Sequence, residues 1–278
     1  MSTVHGAASA SSPERAAAMR IFLTGASGLV GSNTAVAAER RGHIVHGIVG
    51  SWNGAIPGLA TTARVDMRDI PAVTAAVLEF FPDAIINAAA MSEPARCETD
   101  PDGSRALNVL LPQRLAELSH HLSCRFVHIS SEQVFAGTSA PYAVTDPTSP
   151  INTYGHHKVE SEKLVHAAAS EFAATVRAPL LLGNSLTGAR SVHERLFAEW
   201  VAGRTVRAFT DEIRQPCTAD NLADVLVELC ERRDMNGVFH WAGTKAYSRH
   251  ELAVRIARHF GVPTDGRMET SLLAGTPA

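Results

Sequence analysis

Arg20-Ile21-Phe22-Leu23-Thr24-Gly25-Ala26-Ser27-Gly28-Leu29-Val30-Gly31 is the stretch that decides the fold. A short apolar strand runs into three glycines spaced three apart, and a helix-forming run from Leu29 to Arg41 follows without a break. A strand that turns straight into a helix needs glycine at the tight turn, where backbone approaches a ligand, and where helix packs on strand. The helix start then offers unpaired N–H groups and a partial positive charge, which suit a pyrophosphate. Gly25, Ser27, Gly28, Leu29 and Gly31 are the expected pyrophosphate contacts of a dinucleotide.

Working outward, apolar strand-length runs alternate with longer helical ones, the pattern of parallel strands joined by crossover helices. After Ile21-Phe22-Leu23, strands are expected at Ile44–Val49, Ala63–Val65, Ala84–Asn87, Arg125–Ile129 and Ala174–Arg177. Helices are expected at Ile70–Phe80, around Arg105–Leu122 and from about Thr153 to Glu171. Beyond Arg177 the rhythm is irregular: a Gly183–Gly188 loop, helical runs at Val192–Val201 and Ala219–Arg232, a strand at Gly237–Trp241, and a helix opened by Ser248 with Glu251 three residues on. The fold class is α/β, a Rossmann-type doubly wound parallel sheet with a small C-terminal lobe. The dinucleotide domain spans residues 20–178 and is completed by about 215–245; residues 179–214 and 246–278 form the second lobe. Met1–Met19, rich in Ala and Ser but interrupted by Glu14 and Arg15, reads as a disordered tail and not as a secretory signal.

The 278 residues are 45% hydrophobic and 19% charged, with a net charge of -3. This composition is that of a globular protein, with no apolar window of roughly 18 residues to cross a membrane. The charge gives no footprint for nucleic acid or an anionic membrane, so neither is an expected partner. Cys97, Cys124, Cys217 and Cys230 are widely spaced and are expected to be reduced structural thiols in a cytoplasmic protein. His156, His157, His120 and His121 read as solvated helix faces, and no metal is expected because no third ligand has suitable spacing.

The second expected strand ends Ile48-Val49-Gly50-Ser51-Trp52-Asn53, without the acid that accepts from a ribose 2'-hydroxyl and without Arg or Lys. The missing carboxylate removes repulsion against a 2'-phosphate, and Ser51 and Asn53 can donate to one. NADP(H) is therefore favoured, with NAD(H) still open.

The G-x-x-G-x-x-G spacing resembles the short-chain dehydrogenase/reductase superfamily, and other segments match it in order. Val65-Asp66-Met67 ends the third strand, which implies Asp66 and Met67 near the adenine, the alternative for Asp66 being a helix N-cap for the stretch starting near Ile70. Asn87-Ala88-Ala89-Ala90 ends the fourth strand, which implies Ala88, Ala89 and Ala90 beside the cofactor. Tyr154-Gly155-His156-His157-Lys158 resembles the Tyr-x-x-x-Lys pair, with both side chains on one helix face. A nearby ammonium and the positive nicotinamide ring would favour the phenolate and so keep the phenol acidic, Tyr154 would give its proton as general acid in a reduction, and Lys158 would hold the ribose. Ser131, in Ile129-Ser130-Ser131, is the implied third catalytic group, orienting a substrate carbonyl.

Further motifs resemble the dTDP-4-dehydrorhamnose reductase family over roughly Arg20 to Pro263. They are Cys97-Glu98 with Pro101, Ser130 to Gly137, Pro141-Tyr142, Pro150 to Lys158, Arg214 with Pro216, and Gly237 to Gly243. The last also resembles the methionine adenosyltransferase regulatory beta subunit. The family implies NADPH-dependent reduction of the 4-keto group of a nucleotide-linked deoxysugar, with Arg214 facing the anionic part. A homodimer is the default assembly. This chain departs from the family pattern: Glu132 replaces an acid one methylene shorter, Gln133 a tyrosine, Ala136 a second acid, and Leu180 a frequent tryptophan. Glu132 and Gln133 border the substrate side of the family's cleft, so the sugar is expected to differ. Family members continue past the point corresponding to Pro277-Ala278, so a shortened chain or a reduced lobe is expected. The alternatives are an NAD-dependent nucleotide-sugar epimerase or dehydratase, and a non-catalytic NADP-binding regulatory subunit.

Overall fold

The computed structural model describes residues 17–273. Its strands are β1 (Arg20–Thr24), β2 (Ile44–Val49), β3 (Thr61–Arg64), β4 (Ala84–Asn87), β5 (Arg125–Ser131) and β6 (Ala173–Ala178). Then follow β7 (Leu181–Leu182), β8 (Val206–Phe209), β9 (Ile213–Arg214), β10 (Cys217–Thr218), β11 (Gly237–His240), β12 (Tyr247–Ser248) and β13 (Met268–Ser271). Helices are α1 (Leu29–Arg40), α2 (Ile70–Phe80), α3 (Pro94–Thr99), α4 (Pro101–Arg105), α5 (Leu111–Leu122), α6 (Thr153–Ala169), α7 (Val192–Val201), α8 (Ala219–Glu231) and α9 (Arg249–His259).

Seven parallel strands form one sheet in the order β11-β6-β5-β4-β1-β2-β3. The chain winds outward in opposite directions from β1 and β4, and at such a switch point the carboxyl ends of the strands open a crevice. Alternate residues of β1 face opposite ways. Ile21 and Leu23 join a core cluster with residues of α1 and α8, whereas Phe22 joins one with residues of α2, α5 and Phe126. Both faces are thus covered by helices, which explains why the strands read as continuous apolar runs.

Arg125 is the largest side chain buried in the sheet, 1% exposed. Its guanidinium donates to the carbonyls of Leu229 at 2.7 Å and Phe172 at 3.0 Å, and also to Met235 and Asn236. It ties the start of β5 to the end of α8 and to the turn that launches β11. A third cluster of Val192, Trp200, Val206, Leu252, Ile256 and Ala257 gathers α7, β8 and α9 into a separate small core. The Ser248–Glu251 capping box opens α9.

The third strand begins at Thr61 and ends at Arg64, two residues earlier at its start than its apolar residues suggest. Pairing with β2 fixes it there, opposite His46 to Val49, although its outer face is exposed. The helix expected over Arg105–Leu122 is broken into α4, a wide π turn at Ala106–Leu110, and α5. Pro112 explains the break: it has no N–H to give and its ring crowds the preceding turn. Within the wide turn Asn108 faces inward, its amide spanning the N–H of Met91 at 3.1 Å and the carbonyl of Met91 at 3.0 Å. Most of the expected tail lies outside the described residues, but Met19 is already anchored: its N–H donates to His43 Nδ1 at 3.2 Å and its carbonyl accepts from Ile44 at 2.9 Å.

Candidate functional site

At the carboxyl end of β1 the chain makes the turn that the glycines require. Gly25 has φ 64°, and a Cβ there would lie 2.7 Å from the nitrogen of Ala89 and 2.8 Å from the carbonyl of Ala88. At Gly31 a Cβ would lie 2.2 Å from the carbonyl oxygen of Gly25, so α1 can close on the turn only without a side chain. Gly28 is the N-cap of α1, and no side chain bonds the first amides of that helix. A dinucleotide pyrophosphate fits here: the loop is lined by backbone, and the amides of a twelve-residue helix face it without a capping side chain. Ser27 and Leu29 flank Gly28, half-buried.

The ground under this loop is a buried chain of hydrogen bonds. Ala89 N–H donates to Thr24 Oγ1 at 3.3 Å, and the Thr24 hydroxyl donates to Asn87 Oδ1 at 2.6 Å. Asn87 Nδ2 donates to His128 Nδ1 at 3.1 Å, which leaves His128 Nε2–H to donate to Ser161 Oγ at 3.1 Å. Ser161 donates in turn to the Lys158 carbonyl at 2.8 Å. Burial, with Lys158 adding to it, holds His128 well below the usual histidine range, so it is neutral, as this bonding pattern needs. The chain locks β1, β4, β5 and α6 together, and with them the turn and the helix that carries Tyr154 and Lys158. Sequence reasoning missed His128 and Ser161 because each is meaningful only across the sheet.

Asn152 caps α6, accepting from Gly155 N–H at 2.8 Å, and Asn152 Nδ2 donates to Gln133 Oε1 at 3.1 Å. Gln133, expected to border the substrate, therefore has its amide oxygen committed to the cap of the helix that bears Tyr154. Tyr154 and Lys158 share one face of that helix, with Lys158 Nζ 5.8 Å from the Tyr154 ring centroid. Both are buried, as is Ser131. Lys158 Nζ donates to the Ile129 carbonyl at 2.9 Å. The Ser131 hydroxyl bonds the phenol, which draws its pKa down, but burial outweighs that and pushes Tyr154 up to about 12. Burial pushes Lys158 down to about 8, with Glu162 opposing. Tyr154 therefore holds its proton at neutral pH.

Directly after Ser131, the Glu132 carboxylate lies 3.6 Å from Arg214 Nε, and burial raises its pKa. Arg214 also pairs with Glu212 at 2.9 Å, and Arg249 lies 3.9 Å from Glu212. Arg249 Nη1 is buried without a partner. β9 and β12 pair antiparallel, setting Arg214 opposite Tyr247, and Arg249 follows directly. This two-arginine, two-carboxylate network faces the end of β5, and the Arg249 contribution was not read from the sequence. The Ser248 N-cap just before it was the available signal.

Just beyond β3, Asp66 is exposed, both oxygens bonded to Arg68 at 2.8 to 3.0 Å, which holds its pKa down to about 2. The N-cap of α2 is Asp69, not Asp66. Met67 is buried in the cluster that contains Ile48 and Val73. Ser51 is exposed, and Ala88, Ala89 and Ala90 follow β4, where Ala88 and Ala89 wall the Gly25 turn. Arg64, unread in the sequence, donates to the Trp52 carbonyl at 3.2 Å, and Trp52 Nε1 is buried without a partner. His157 Nδ1 bonds Ser104 Oγ at 2.8 Å, and all four cysteines are buried and free.

The model of one protein family, the RmlD substrate binding domain, matches residues 19–274. The chain belongs to that family. Methionine adenosyltransferase 2 subunit beta of Xenopus tropicalis is 31% identical over 251 residues, covering 88% of this chain and 73% of that one. A probable low-salt glycan biosynthesis reductase of Haloferax volcanii is also 31% identical, covering 87% and 81%. The crystal structure of a hypothetical dTDP-4-dehydrorhamnose reductase from Sulfolobus tokodaii has a TM-score of 0.78 at 29% identity, covering 91% of this chain and 86% of that one. A protein named as an enzyme subunit and one named as a probable reductase thus lie at the same identity to this chain.

Proposed function

We propose that the protein is an NADPH-dependent reductase of the 4-keto group of a nucleotide-linked deoxysugar. The observation that carries the reading is Ser131, Tyr154 and Lys158 gathered at the carboxyl end of β5 and tied, through the buried chain from Lys158 to Thr24, to the turn that precedes the uncapped α1. The small lobe around Val192, Trp200 and Leu252 is the substrate lobe in this proposal, and residues 20–178 with about 215–245 are the dinucleotide domain. The glycine loop, with Gly25, Ser27, Gly28, Leu29 and Gly31, holds the pyrophosphate; Ser51 lies toward the adenosine ribose; Asp66, Met67 and Ala88 to Ala90 border the rest of the dinucleotide. When bound, the nicotinamide supplies a hydride.

Reduction of a carbonyl needs a proton for the developing alkoxide. Tyr154, protonated because it is buried, has one to give, and Ser131 donates a hydrogen bond that orients the oxygen. Lys158, cationic below about pH 8, attracts the electron-rich parts of the dinucleotide and eases loss of the phenol proton. Arg214 and Arg249 meet the diphosphate of the nucleotide sugar, exchanging Glu132 and Glu212 for substrate oxygens.

The test is a screen of dTDP-, UDP- and GDP-linked 4-ketosugars for NADPH oxidation. An accepted sugar should be reduced by the parent chain and at a rate lower by about 10²–10⁴ in Tyr154→Phe, the usual worth of general acid catalysis. A second reading, a cofactor-binding subunit without turnover, is favoured by the similarity to methionine adenosyltransferase 2 subunit beta. NADPH binding with no turnover across the whole screen would favour it.

A further inference from the structure

We propose that Arg64 recognises the 2'-phosphate of NADPH and sets the cofactor preference of this chain. The inference rests on the nicotinamide-dinucleotide reading of the glycine loop.

Between Val49 and Asp66, Arg64 is the sole basic residue, and Asp66 itself the sole acid. Along the chain Arg64 is remote from the loop after β2. Across the sheet it is not: parallel pairing sets Arg64 directly beside Val49, the last residue of β2. From there its guanidinium reaches the loop after β2 and donates to the Trp52 carbonyl at 3.2 Å. That loop follows the strand whose end meets the adenosine ribose in this fold.

Arg64 is exposed, and no ion pair among the described residues includes it. Arg68, by contrast, is committed to Asp66 through both carboxylate oxygens. Asp66 is neutralised by that pairing, so the one acid nearby neither quenches Arg64 nor repels an incoming phosphate. The same loop carries the exposed side chains of Ser51 and Asn53 and the buried, unpartnered Trp52 Nε1, more donors than the protein itself employs. A ribose 2'-hydroxyl would want an acceptor at this place, and none of the side chains from Gly50 to Arg64 is a carboxylate. A planar guanidinium with free N–H groups matches a phosphate dianion.

Calorimetric titration of the full chain with NADPH and with NADH tests this, in the parent, Arg64→Met, Arg64→Lys and Arg68→Met. The parent should bind NADPH at least about tenfold more tightly than NADH. Arg64→Met should lose about ten- to hundredfold in NADPH affinity, about 1.4 to 2.8 kcal/mol, with NADH changed by less than about threefold. Arg64→Lys should keep part of the preference and Arg68→Met all of it. Competition by 2',5'-ADP should weaken in parallel with NADPH, while competition by 5'-AMP should not. An unchanged unfolding midpoint shows that Arg64→Met is folded, as its exposure leads one to expect. A preserved preference in Arg64→Met, or an equal loss of both cofactors, overturns the assignment alone. A parent that binds NADH more tightly overturns the NADPH reading, and this assignment with it.

Discussion

Glu162→Gln should destabilise the protein by about 3–5 kcal/mol, the usual cost of removing one partner from a buried ion pair. Glu162 on α6 and Arg177 on β6 are each 7% exposed and meet through two bonds, Nε to Oε1 at 3.0 Å and Nη2 to Oε2 at 2.8 Å. Ser130 donates its hydroxyl to the same Oε1. Glutamine keeps the shape but removes the charge, and its NH2 group turns a donor toward donors on one side. Arg177 would keep the Val144 carbonyl at 3.2 Å, His240 Nε2 at 3.2 Å and the Phe135 ring at 5.1 Å, none of which neutralises a buried guanidinium. Urea unfolding of the parent, Glu162→Gln, Arg177→Met and a Glu162→Leu/Arg177→Met double variant measures this. Each single variant should lose several kcal/mol at unchanged m-value, and the double variant should lose less than the sum because no lone charge is left buried. A loss below about 1 kcal/mol in Glu162→Gln, or strict additivity, would refute the reasoning. Because Glu162 raises the Lys158 pKa, its loss should also move the Lys158 titration further below about 8.

Gly31→Ala places a Cβ 2.2 Å from the Gly25 carbonyl oxygen, backbone that cannot swing aside, so it should cost about 1–3 kcal/mol or more by thermal unfolding and abolish dinucleotide binding. Arg125→Met removes the donor to four acceptors between β5, α8 and the approach to β11, and should lower the unfolding free energy by several kcal/mol, about 1 kcal/mol or more per stranded buried acceptor. Burial depresses Lys158 from 10.5 to about 8, so the unfolded chain binds the extra proton between those values and this group's contribution to stability rises with pH across that window. The parent measured against Lys158→Met should therefore gain stability from about pH 8 upward. NADPH affinity should fall over the same range as the ammonium is lost, and pH-independent binding would argue against a Lys158 contact.

Where a side chain's role is local, the sequence disclosed it. Ile44–Val49, Ala84–Asn87, Ile70–Phe80 and Val192–Val201 form the elements that their apolar spacing suggests. The Ser248 capping box is equally local. The glycine turn was legible because strand, turn and helix follow one another along the chain. Where a role depends on register, it stayed hidden. Arg64 looks like the end of a weak edge strand until pairing sets it beside Val49. His128 looks like an ordinary strand residue until Asn87 and Ser161 are found on either side of it. Gln133 reads as a substrate-side departure, yet it supports the Asn152 cap. The pKa of Tyr154 is legible only in part for a related reason: charge spacing along a helix is visible in sequence, but the burial that opposes it is not. The π turn at Ala106–Leu110 had a signal in Pro112, which the long apolar run around it obscured.

The most direct measurement of the central claim is isotope transfer: the protein is incubated with NADPH carrying deuterium at the nicotinamide C4 and with the panel of nucleotide-linked 4-ketosugars, and each sugar is analysed by mass spectrometry. A reductase moves that deuterium as a deuteride to the former carbonyl carbon, so one sugar should appear as the labelled alcohol with the parent chain and at a rate about 10²–10⁴ lower with Tyr154→Phe. NADPH bound by the parent with no label on any sugar, or label transferred as fast by Tyr154→Phe as by the parent, would contradict the account.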